Sequence, residues 1–358
     1  MPGSPAQNLT ERHDIPFSEL TTLRLGGPAR RLIEARSEDD AVEAVASADG
    51  SLFVMSGGSN LVVADEGIDG TVVRIGTRGI SFSGDGEAVE VNVAAGEPWD
   101  EVVACCVSEG LAGIECLSGI PGSTGATPIQ NVGAYGQEVS TTISSVRAYE
   151  RQHGQVVELS PEQCGFAYRT SAFKRSNRHV VLGVSFVLER SDAAKPVQYA
   201  ELARALGVEL GACASLSEVR EAVLELRRRK GMVIDPDDPD SVSAGSFFVN
   251  PILSREEFAA FERRAVDLLG DEVKPPRWPE ADGRMKTSAA WLIERAGFHR
   301  GYGPGRVGVS SKHTLALVNR GGGTTEELLA LARELRDGVS KRFGVALRAE
   351  PTLVGVEL

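Results

Sequence analysis

Two glycine-bearing segments carry the residue types that bind phosphate through the main chain. They are SGGSN at residues 56–60 and LSGIPGSTGATPIQNVGAYG at residues 117–136. Glycine lets backbone N–H groups approach a ligand closely, and the small hydroxyl and amide side chains beside it can donate to phosphate oxygens. Neither segment contains lysine or arginine. We therefore expect the two loops to grip the two ends of one dinucleotide, with its pyrophosphate held by neutral donors.

A third segment, SVSAGSFFVNP at residues 241–251, places Ser246 between Gly245 and two phenylalanines, with Asn250 and Pro251 behind. On local pattern alone, the simplest interpretation is a strand end whose serine hydroxyl bonds to the neighbouring backbone. The alternative is a hydroxyl group used in chemistry. The segment by itself leaves both open.

Other cofactor motifs are weak or missing. Gly303, Gly305 and Gly308 in GYGPGRVGVS have the spacing of a dinucleotide fingerprint, but a proline lies inside it and the β-like VGVS follows where a helix should begin. No G-x-x-x-x-G-K-[ST] sequence is present, so a P-loop NTPase lacks its central feature. Five cysteines without C-x-x-C spacing indicate neither a disulfide framework nor a metal site. Cys105 and Cys106 fit the core stripe of a helix in WDEVVACCVSEG.

Composition limits the class of protein. The chain has 358 residues, 42% of them hydrophobic, which is enough for two or three domains with real cores. A net charge of −12 argues against nucleic acid as the main partner. With no long apolar run and no apolar signal segment, we expect a cytoplasmic protein without a membrane partner. The first twenty residues are expected to form a loose leader.

The surrounding pattern predicts mixed α and β structure. Apolar strands flank the first glycine loop, and short strands follow from about residue 80 to 190. We expect capped helices to begin at Ser37, at Ser217 and at Ser254 with Glu257, and a further helix over residues 325–343. The tail RAEPTLVGVEL is expected to be loop and then strand.

Four segments in order, GGSN, IPGSTGATPIQNVGAYG, AYRTSAFK and AGSFFVNP, resemble the UDP-N-acetylenolpyruvoylglucosamine reductase family. The resemblance runs from Thr21 to Leu358. It implies an α+β fold with a vanillyl-alcohol-oxidase-like, two-part FAD-binding domain and a C-terminal substrate-binding α+β domain. The expected boundaries are residues 1–76 with the strand 345–358, then 77–229 including a lid loop, then 230–344.

The resemblance also implies an enzyme that passes hydride from NADPH through FAD to the enolpyruvyl group of a UDP-sugar, making UDP-N-acetylmuramate for the bacterial cell wall. The FAD is expected to be non-covalent, because no histidine falls within the second glycine loop. We expect a monomer.

Site residues follow from the family's motifs. The catalytic set implied by the resemblance is Arg169, Ser246 and Glu350. The cofactor-binding set comprises Ser56, Gly57, Gly58, Ser59, Asn60, Leu61, Pro121, Gly122, Ser123, Gly125, Ala126, Gln130, Asn131, Gly133 and Ala134. The substrate-binding set comprises Tyr199, Lys230, Asn250 and His313. Tyr199 lies in KPVQYAEL, which resembles the lid insert of the family's longer form.

The implied chemistry suits these residue types. Arg169 is a planar cation that can grip a carboxylate with two hydrogen bonds. An enolate is basic enough to take a proton from Ser246, and Phe247 and Phe248 could exclude competing water. Glu350 either is protonated and donates to the enolate, or is ionised and orients Arg169. The sequence permits both states.

Two alternatives differ in class. One is another flavin oxidoreductase of the same fold, acting on alcohols. The other is a nucleotide-sugar-binding protein without catalysis, which the presence of Arg169, Ser246 and Glu350 disfavours.

Overall fold

The computed structural model describes residues 9–358. The described chain divides into two compact units. The first contains the residues up to Pro16 together with Pro28–Gly58 and Ile68–Val233, and the second contains Phe17–Gly27, Ser59–Gly67 and Ile234–Leu358. The finer division expected at residues 76 and 229 stays a prediction.

The strands, in chain order, are β1 (Thr10–Pro16), β2 (Pro28–Ala35), β3 (Leu52–Met55), β4 (Leu61–Val63), β5 (Ile68–Ile75), β6 (Ile80–Ser83), β7 (Ala88–Ala94), β8 (Leu111–Ala112), β9 (Gly133–Ala134), β10 (Gln137–Glu138), β11 (Ile143–Glu150), β12 (Gln155–Leu159), β13 (His179–Arg190), β14 (Ser243–Ser246), β15 (Ile252–Leu253), β16 (Trp278–Pro279), β17 (Met285–Lys286), β18 (Val307–Val309), β19 (Ala316–Asn319) and β20 (Thr352–Val354). The α-helices are α1 (Glu38–Ala46), α2 (Trp99–Ser108), α3 (Pro161–Cys164), α4 (Ala200–Leu206), α5 (Leu216–Arg229), α6 (Arg255–Leu269), α7 (Ala289–Arg295) and α8 (Thr325–Phe343).

The first unit contains two larger sheets. In one, β2, β5 and β3 run parallel, and β1 pairs antiparallel with β2 at the edge. The other is antiparallel, in the order β12-β11-β13-β7-β6. Its buried face packs on α2, where the ring centroids of Trp99 and Phe186 lie 5.7 Å apart. The carboxyl ends of β2, β3 and β5 therefore meet at one sheet edge, where open α/β sheets usually bind ligands.

A smaller helical cluster in the first unit contains α4 and α5. Leu202 of α4 and Val219, Val223 and Leu226 of α5 share one buried cluster. Helix α5 begins at Ser215, whose side chain accepts from the backbone N–H of Glu218 while the Glu218 carboxylate accepts from the Ser215 N–H. The predicted cap at Ser217 is wrong, because this reciprocal pair requires an acidic or amide residue three positions later, and only Ser215 has one.

The second unit packs α6, α7 and α8 on a three-stranded sheet, β14-β19-β18. Ser254 and Glu257 form the capping box of α6, as predicted. Helix α8 covers the predicted range and is followed by Gly344, whose φ of 71° is left-handed. The final strand, β20, pairs parallel with β4.

The expected loose leader is wrong where the structure describes it. Strand β1 pairs with β2 from Thr10 opposite Glu34 to Pro16 opposite Pro28, and the Phe17 side chain is fully buried. Residues 1–8 lie outside the described part of the chain. Because β1 is an edge strand whose side chains are mostly exposed, its sequence TERHDIP lacks the apolar alternation that indicates a strand.

Candidate active site

The first glycine loop begins where β3 ends. Ser56 follows the strand directly, and its Oγ lies 2.6 Å from the carbonyl oxygen of Ile75 at the end of β5 and 2.7 Å from the Oγ of Ser123 in the second loop. Gly58 has a φ of 62°. The chain passes from the first unit to the second between Gly58 and Ser59.

The two glycine loops approach each other so closely that a side chain would not fit. A Cβ on Gly57 would lie 2.8 Å from the Cα of Gly122 and 3.2 Å from the Oγ of Ser123. A Cβ on Gly125 would lie 2.5 Å from the Cβ of Ala95. These glycines keep main-chain groups at the surface of a narrow cradle, which fits the backbone binding of a pyrophosphate.

Positive charge reaches this cradle from outside the loops. A cavity of about 290 Å³ is lined by Ser56, Gly57, Gly122 and Ser123 and also by arginines that follow or end neighbouring strands. These arginines are Arg36, Arg74 and Arg78, and we call them the arginine rim. Arg36 and Arg74 each lie 3.7 Å from Glu34, and Arg78 lies 3.5 Å from Glu97. Three cations facing two carboxylates leave a local excess of positive charge.

The sequence-based prediction does not include the arginine rim, because it considers only cations within the loops themselves. The signal that could have found these residues is positional. Arg36 and Arg78 follow β2 and β5, which are adjacent parallel strands, so their carboxyl ends share an edge.

Arg169 is held against the second glycine loop. Its Nη2 donates to the carbonyl oxygen of Gly133 at 2.6 Å and its Nη1 to that of Asn131 at 3.3 Å. Its φ of 53° is left-handed, a conformation that non-glycine residues adopt at a cost and that often marks functional sites. The guanidinium also lies 5.3 Å from the ring centroid of Tyr168.

Asn131 braces this arrangement. Its buried amide donates to the Glu138 carboxylate at 2.8 Å and to the Ala167 carbonyl at 3.3 Å, and its Oδ1 accepts from the Ser140 N–H. Its side chain thus forms hydrogen bonds within the fold. A contact between Asn131 and a cofactor stays a prediction. Pro121, Ala126, Gln130 and Ala134 lie along the same loop segment.

Tyr199 and Lys230 lie close together in the helical cluster. The Tyr199 ring meets Tyr135 edge-on at 5.4 Å between centroids, and the Lys230 Nζ lies 5.6 Å from the Tyr135 centroid. Lys230 also forms an ion pair with Glu201 at 2.6 Å. Burial raises the pKa of Tyr135 from its ordinary value of 10 to about 12.

In the second unit, the tail lies alongside the Ser246 segment. The backbone N–H of Glu350 donates to the Phe247 carbonyl at 2.9 Å, and Phe248 forms a bridge with Ala349. Ser246 pairs with Ala316 across β14 and β19. Phe247 and Phe248 are both 1% exposed and meet edge-on within the hydrophobic core, with ring centroids 5.1 Å apart, so they anchor this segment.

The rest of the first glycine loop belongs to the same neighbourhood. The Asn60 Nδ2 lies 3.5 Å from the Glu350 carbonyl oxygen, and Leu61 pairs with Thr352. The Ser59 carbonyl lies 3.4 Å from the hydroxyl of Thr22, which also donates to the Ser243 carbonyl at 2.7 Å. Within this unit, the structure thus brings together Ser59, Asn60, Ser246 and Glu350.

The other two predicted substrate residues, Asn250 and His313, also belong to the second unit. Asn250 accepts a hydrogen bond from the backbone N–H of Ala289, at the first residue of α7, with its Oδ1 at 3.0 Å. His313 lies in the turn that precedes β19, and the Phe247 N–H donates to Leu315 of that turn at 2.7 Å. Arg169, Tyr199 and Lys230 belong to the first unit.

The glycine cradle lies within residues 29–160, which match an FAD binding domain, so the protein is an FAD-binding oxidoreductase. Residues 237–354 match the C-terminal domain of UDP-N-acetylenolpyruvoylglucosamine reductase. The chain belongs to the UDP-N-acetylenolpyruvoylglucosamine reductase family, as the sequence predicted.

The similarity extends over nearly the whole chain. The reductase of that name from Thermobifida fusca is 57% identical over 96% of this chain and 98% of its own length. The reductase from Streptomyces coelicolor is 56% identical over 100% of this chain and 94% of its own. The crystal structure of the Thermus caldophilus reductase has a TM-score of 0.66 at 23% identity, covering 97% of this chain and 99% of that one, and supports the fold.

Among the described residues, no helix is both long and apolar enough to cross a membrane.

Proposed function

We propose that this enzyme reduces UDP-N-acetylglucosamine enolpyruvate to UDP-N-acetylmuramate with NADPH as the reductant, in the synthesis of peptidoglycan precursors. The observation that carries the proposal is the Glu350 N–H bond to Phe247, which holds the tail beside Ser246. We expect the chain to act as a monomer in the cytoplasm.

The glycine cradle would hold the FAD pyrophosphate. Gly57, Gly122 and Ser123 supply main-chain and hydroxyl groups at the loop contact, and the arginine rim adds a positive field next to it. When bound, FAD would accept hydride from NADPH and supply it to the terminal carbon of the enolpyruvyl double bond. The chain's own residues then have to stabilise a dianionic enolate and deliver one proton.

Arg169 is assigned to the substrate carboxylate. Its guanidinium is fixed in advance by the Gly133 and Asn131 carbonyls, so little side-chain freedom is lost when a carboxylate binds. Preorganised charge of this kind stabilises developing negative charge in a water-poor site. The left-handed backbone of Arg169 is the strain that this placement costs.

Ser246 is assigned as the proton donor to the enolate carbon. Its strand is anchored by Phe247 and Phe248 in the core and by the Ala316 pairing, so the hydroxyl is carried on rigid structure. Glu350 contributes its carboxyl group, either as a protonated donor to the enolate or as an ionised partner that orients Arg169. A pH profile of the second half-reaction distinguishes these two states.

Substrate recognition is assigned to the remaining four residues. Lys230 and the amide nitrogen of Asn250 serve the nucleotide phosphates and the polar groups of the substrate, since they offer a point charge and a neutral donor. Tyr199 forms the lid, and His313 contacts the substrate from the turn before β19.

The test separates the two half-reactions by anaerobic absorbance. NADPH should bleach the yellow protein, and the enolpyruvyl sugar nucleotide should restore the colour. In Ser246→Ala, bleaching should proceed at the normal rate while reoxidation slows about 10²–10⁴-fold, the usual scale of general-acid catalysis.

Ser243→Ala is the matched control. Ser243 lies on the same strand, and its hydroxyl accepts from the Gly245 N–H at 3.1 Å, so its loss should affect stability more than either rate. Equal slowing of both half-reactions in Ser246→Ala, or no slowing of reoxidation, would show that the assignment of Ser246 is wrong.

A further inference from the structure

Lys230, which is assigned above to the nucleotide phosphates, forms an ion pair with Glu201. Lys230 follows α5, and its Nζ lies 2.6 Å from the Oε2 of Glu201 in the first turn of α4. The two side chains are 30% and 33% exposed. A charge-assisted bond at this distance and degree of burial is stronger than a fully exposed pair.

Two tyrosines complete the surroundings of this ion pair. Tyr135 faces the ammonium at 5.6 Å and meets Tyr199 edge-on at 5.4 Å. Tyr199 is the N-cap of α4 and precedes Glu201 by two residues. We call Tyr135, Tyr199, Glu201 and Lys230 the lysine–tyrosine cluster.

The Glu201 carboxylate accepts from the Lys230 ammonium group, which has three N–H donors, and so competes with a phosphate for the same positive charge. Phosphate and carboxylate are both oxyanions that accept from an ammonium group at about the same distance. Two anions sharing one ammonium would repel each other across a few ångströms of partly buried space. Binding of a phosphate to Lys230 is therefore opposed by the Glu201 carboxylate and is favoured when that carboxylate moves away.

We propose that Glu201 is a competing anion that holds Lys230 while the substrate is absent and releases it when a nucleotide phosphate binds, an inference that rests on the proposed phosphate role of Lys230. Glu201 lies two residues after Tyr199, in the first turn of α4, so the carboxylate that leaves Lys230 is carried by the helix that the lid tyrosine caps. Glu201 is thus a positioning residue that acts on phosphate binding through Lys230.

The experiment measures the affinity of the FAD-loaded protein for UDP by calorimetry, and the KM for the enolpyruvyl sugar nucleotide. Glu201→Gln removes the charge and nearly keeps the shape. We expect UDP to bind about two- to tenfold more tightly, in line with the loss of one partly exposed ion pair. The gain should shrink as salt is added.

Two variants provide controls. Glu225→Gln breaks the Glu225–Arg229 pair, which has a comparable distance of 2.8 Å on exposed α5 side chains, and should leave UDP affinity unchanged. Glu201→Asp keeps the charge and should restore an affinity close to that of the unmodified protein. Equal melting temperatures show that folding is not the cause.

The outcomes separate this inference from the proposed function. If Lys230→Met leaves UDP affinity unchanged, the phosphate role of Lys230 is wrong, and the inference falls with it. If Lys230→Met weakens UDP binding but Glu201→Gln does not strengthen it, only the inference is wrong. It is also wrong if Glu201→Gln strengthens binding equally in the Lys230→Met background, since the competition must act through Lys230.

Discussion

Two glycine-rich regions of this chain have similar composition and different structures. In the loops at residues 56–60 and 117–136, a Cβ on Gly57 would lie 2.8 Å from a backbone atom of the opposite loop. In the segment around Gly303, Gly305 and Gly308, a Cβ on Gly305 would have its nearest neighbour, the Val307 carbonyl oxygen, at 3.9 Å, an ordinary contact. That segment leads into strand β18, with no helix beginning in it.

This contrast between Gly57 and Gly305 shows that glycine spacing alone does not indicate a nucleotide site. The informative features are the element that precedes the glycines and the element that packs on them. Gly57 follows a parallel strand whose carboxyl end lies at the glycine cradle, whereas Gly303 and Gly305 precede an antiparallel strand and Gly308 lies within it. The β-like sequence VGVS predicts a strand where the helix of a Rossmann fingerprint would begin. The structure confirms that strand, which is β18.

The strongest test of this comparison is Gly57→Ala. The added methyl group meets main-chain atoms of Gly122, which cannot move away as a flexible side chain could. Overpacking of this kind costs about 1–3 kcal/mol, which corresponds to FAD binding weaker by about five- to 150-fold if the cradle opens. Fluorescence titration of the apoprotein with FAD measures this loss.

Gly57→Ala should also keep most of its fold, because the strain is confined to the contact between the loops. Circular dichroism and a melting curve of the apoprotein check this point. FAD affinity equal to that of the unmodified protein would contradict the idea that the close approach of the loops builds the cofactor site.

The sequence predicted best the elements that carry their own boundary signals. Helix α8 has a threonine cap with Glu327 three residues later and a glycine at its end, and its range was predicted correctly. The sequence also contains the signal for the cap of α5, because Glu218 follows Ser215 by three residues, whereas Ser217 has Arg220 at that position. Strand β1 offered no such signal, because an edge strand needs no apolar alternation.

The residues of the candidate site show the same division between those with a signal in the sequence and those without one. Residues within family motifs, such as Arg169 and Ser246, could be named from the sequence. The arginine rim and Glu201 could not, because each acts through a neighbour that only the fold brings near. Arg36, Arg74 and Arg78 line one cavity because β2 and β5 are adjacent parallel strands, and Glu201 contacts Lys230 because α4 packs on α5.

Removing the charges of the arginine rim should have a smaller effect. This change tests whether neutral donors alone hold the cofactor. Replacing Arg36, Arg74 and Arg78 together with alanine removes three positive charges from the cavity. Since exposed charges interact weakly through water, we expect FAD and ADP to bind about three- to thirtyfold less tightly, with a flatter dependence on salt.

Arg12→Ala is the matched control for the arginine rim. Arg12 also lies 3.7 Å from Glu34 but is not among the residues that line the cavity, so its loss should leave FAD affinity unchanged. If Arg12→Ala weakens binding as much as the triple variant, the effect comes from freeing Glu34 rather than from the rim. If ADP binding stays constant while the KM for NADPH rises, the rim serves the reductant instead of FAD.

The smallest effect is expected from Gly305→Ala, which completes the comparison of the two glycine regions. Its Cβ would make only an ordinary contact with the Val307 carbonyl, so neither strain nor overpacking arises. FAD affinity and both half-reaction rates should match those of the unmodified protein, and the melting temperature should stay the same or rise slightly because alanine restricts the unfolded chain. A loss of FAD in Gly305→Ala that matches the loss in Gly57→Ala would mean that residues 301–308 also bind the cofactor. The argument from neighbouring elements would then fail, and glycine spacing would regain its value as a signal.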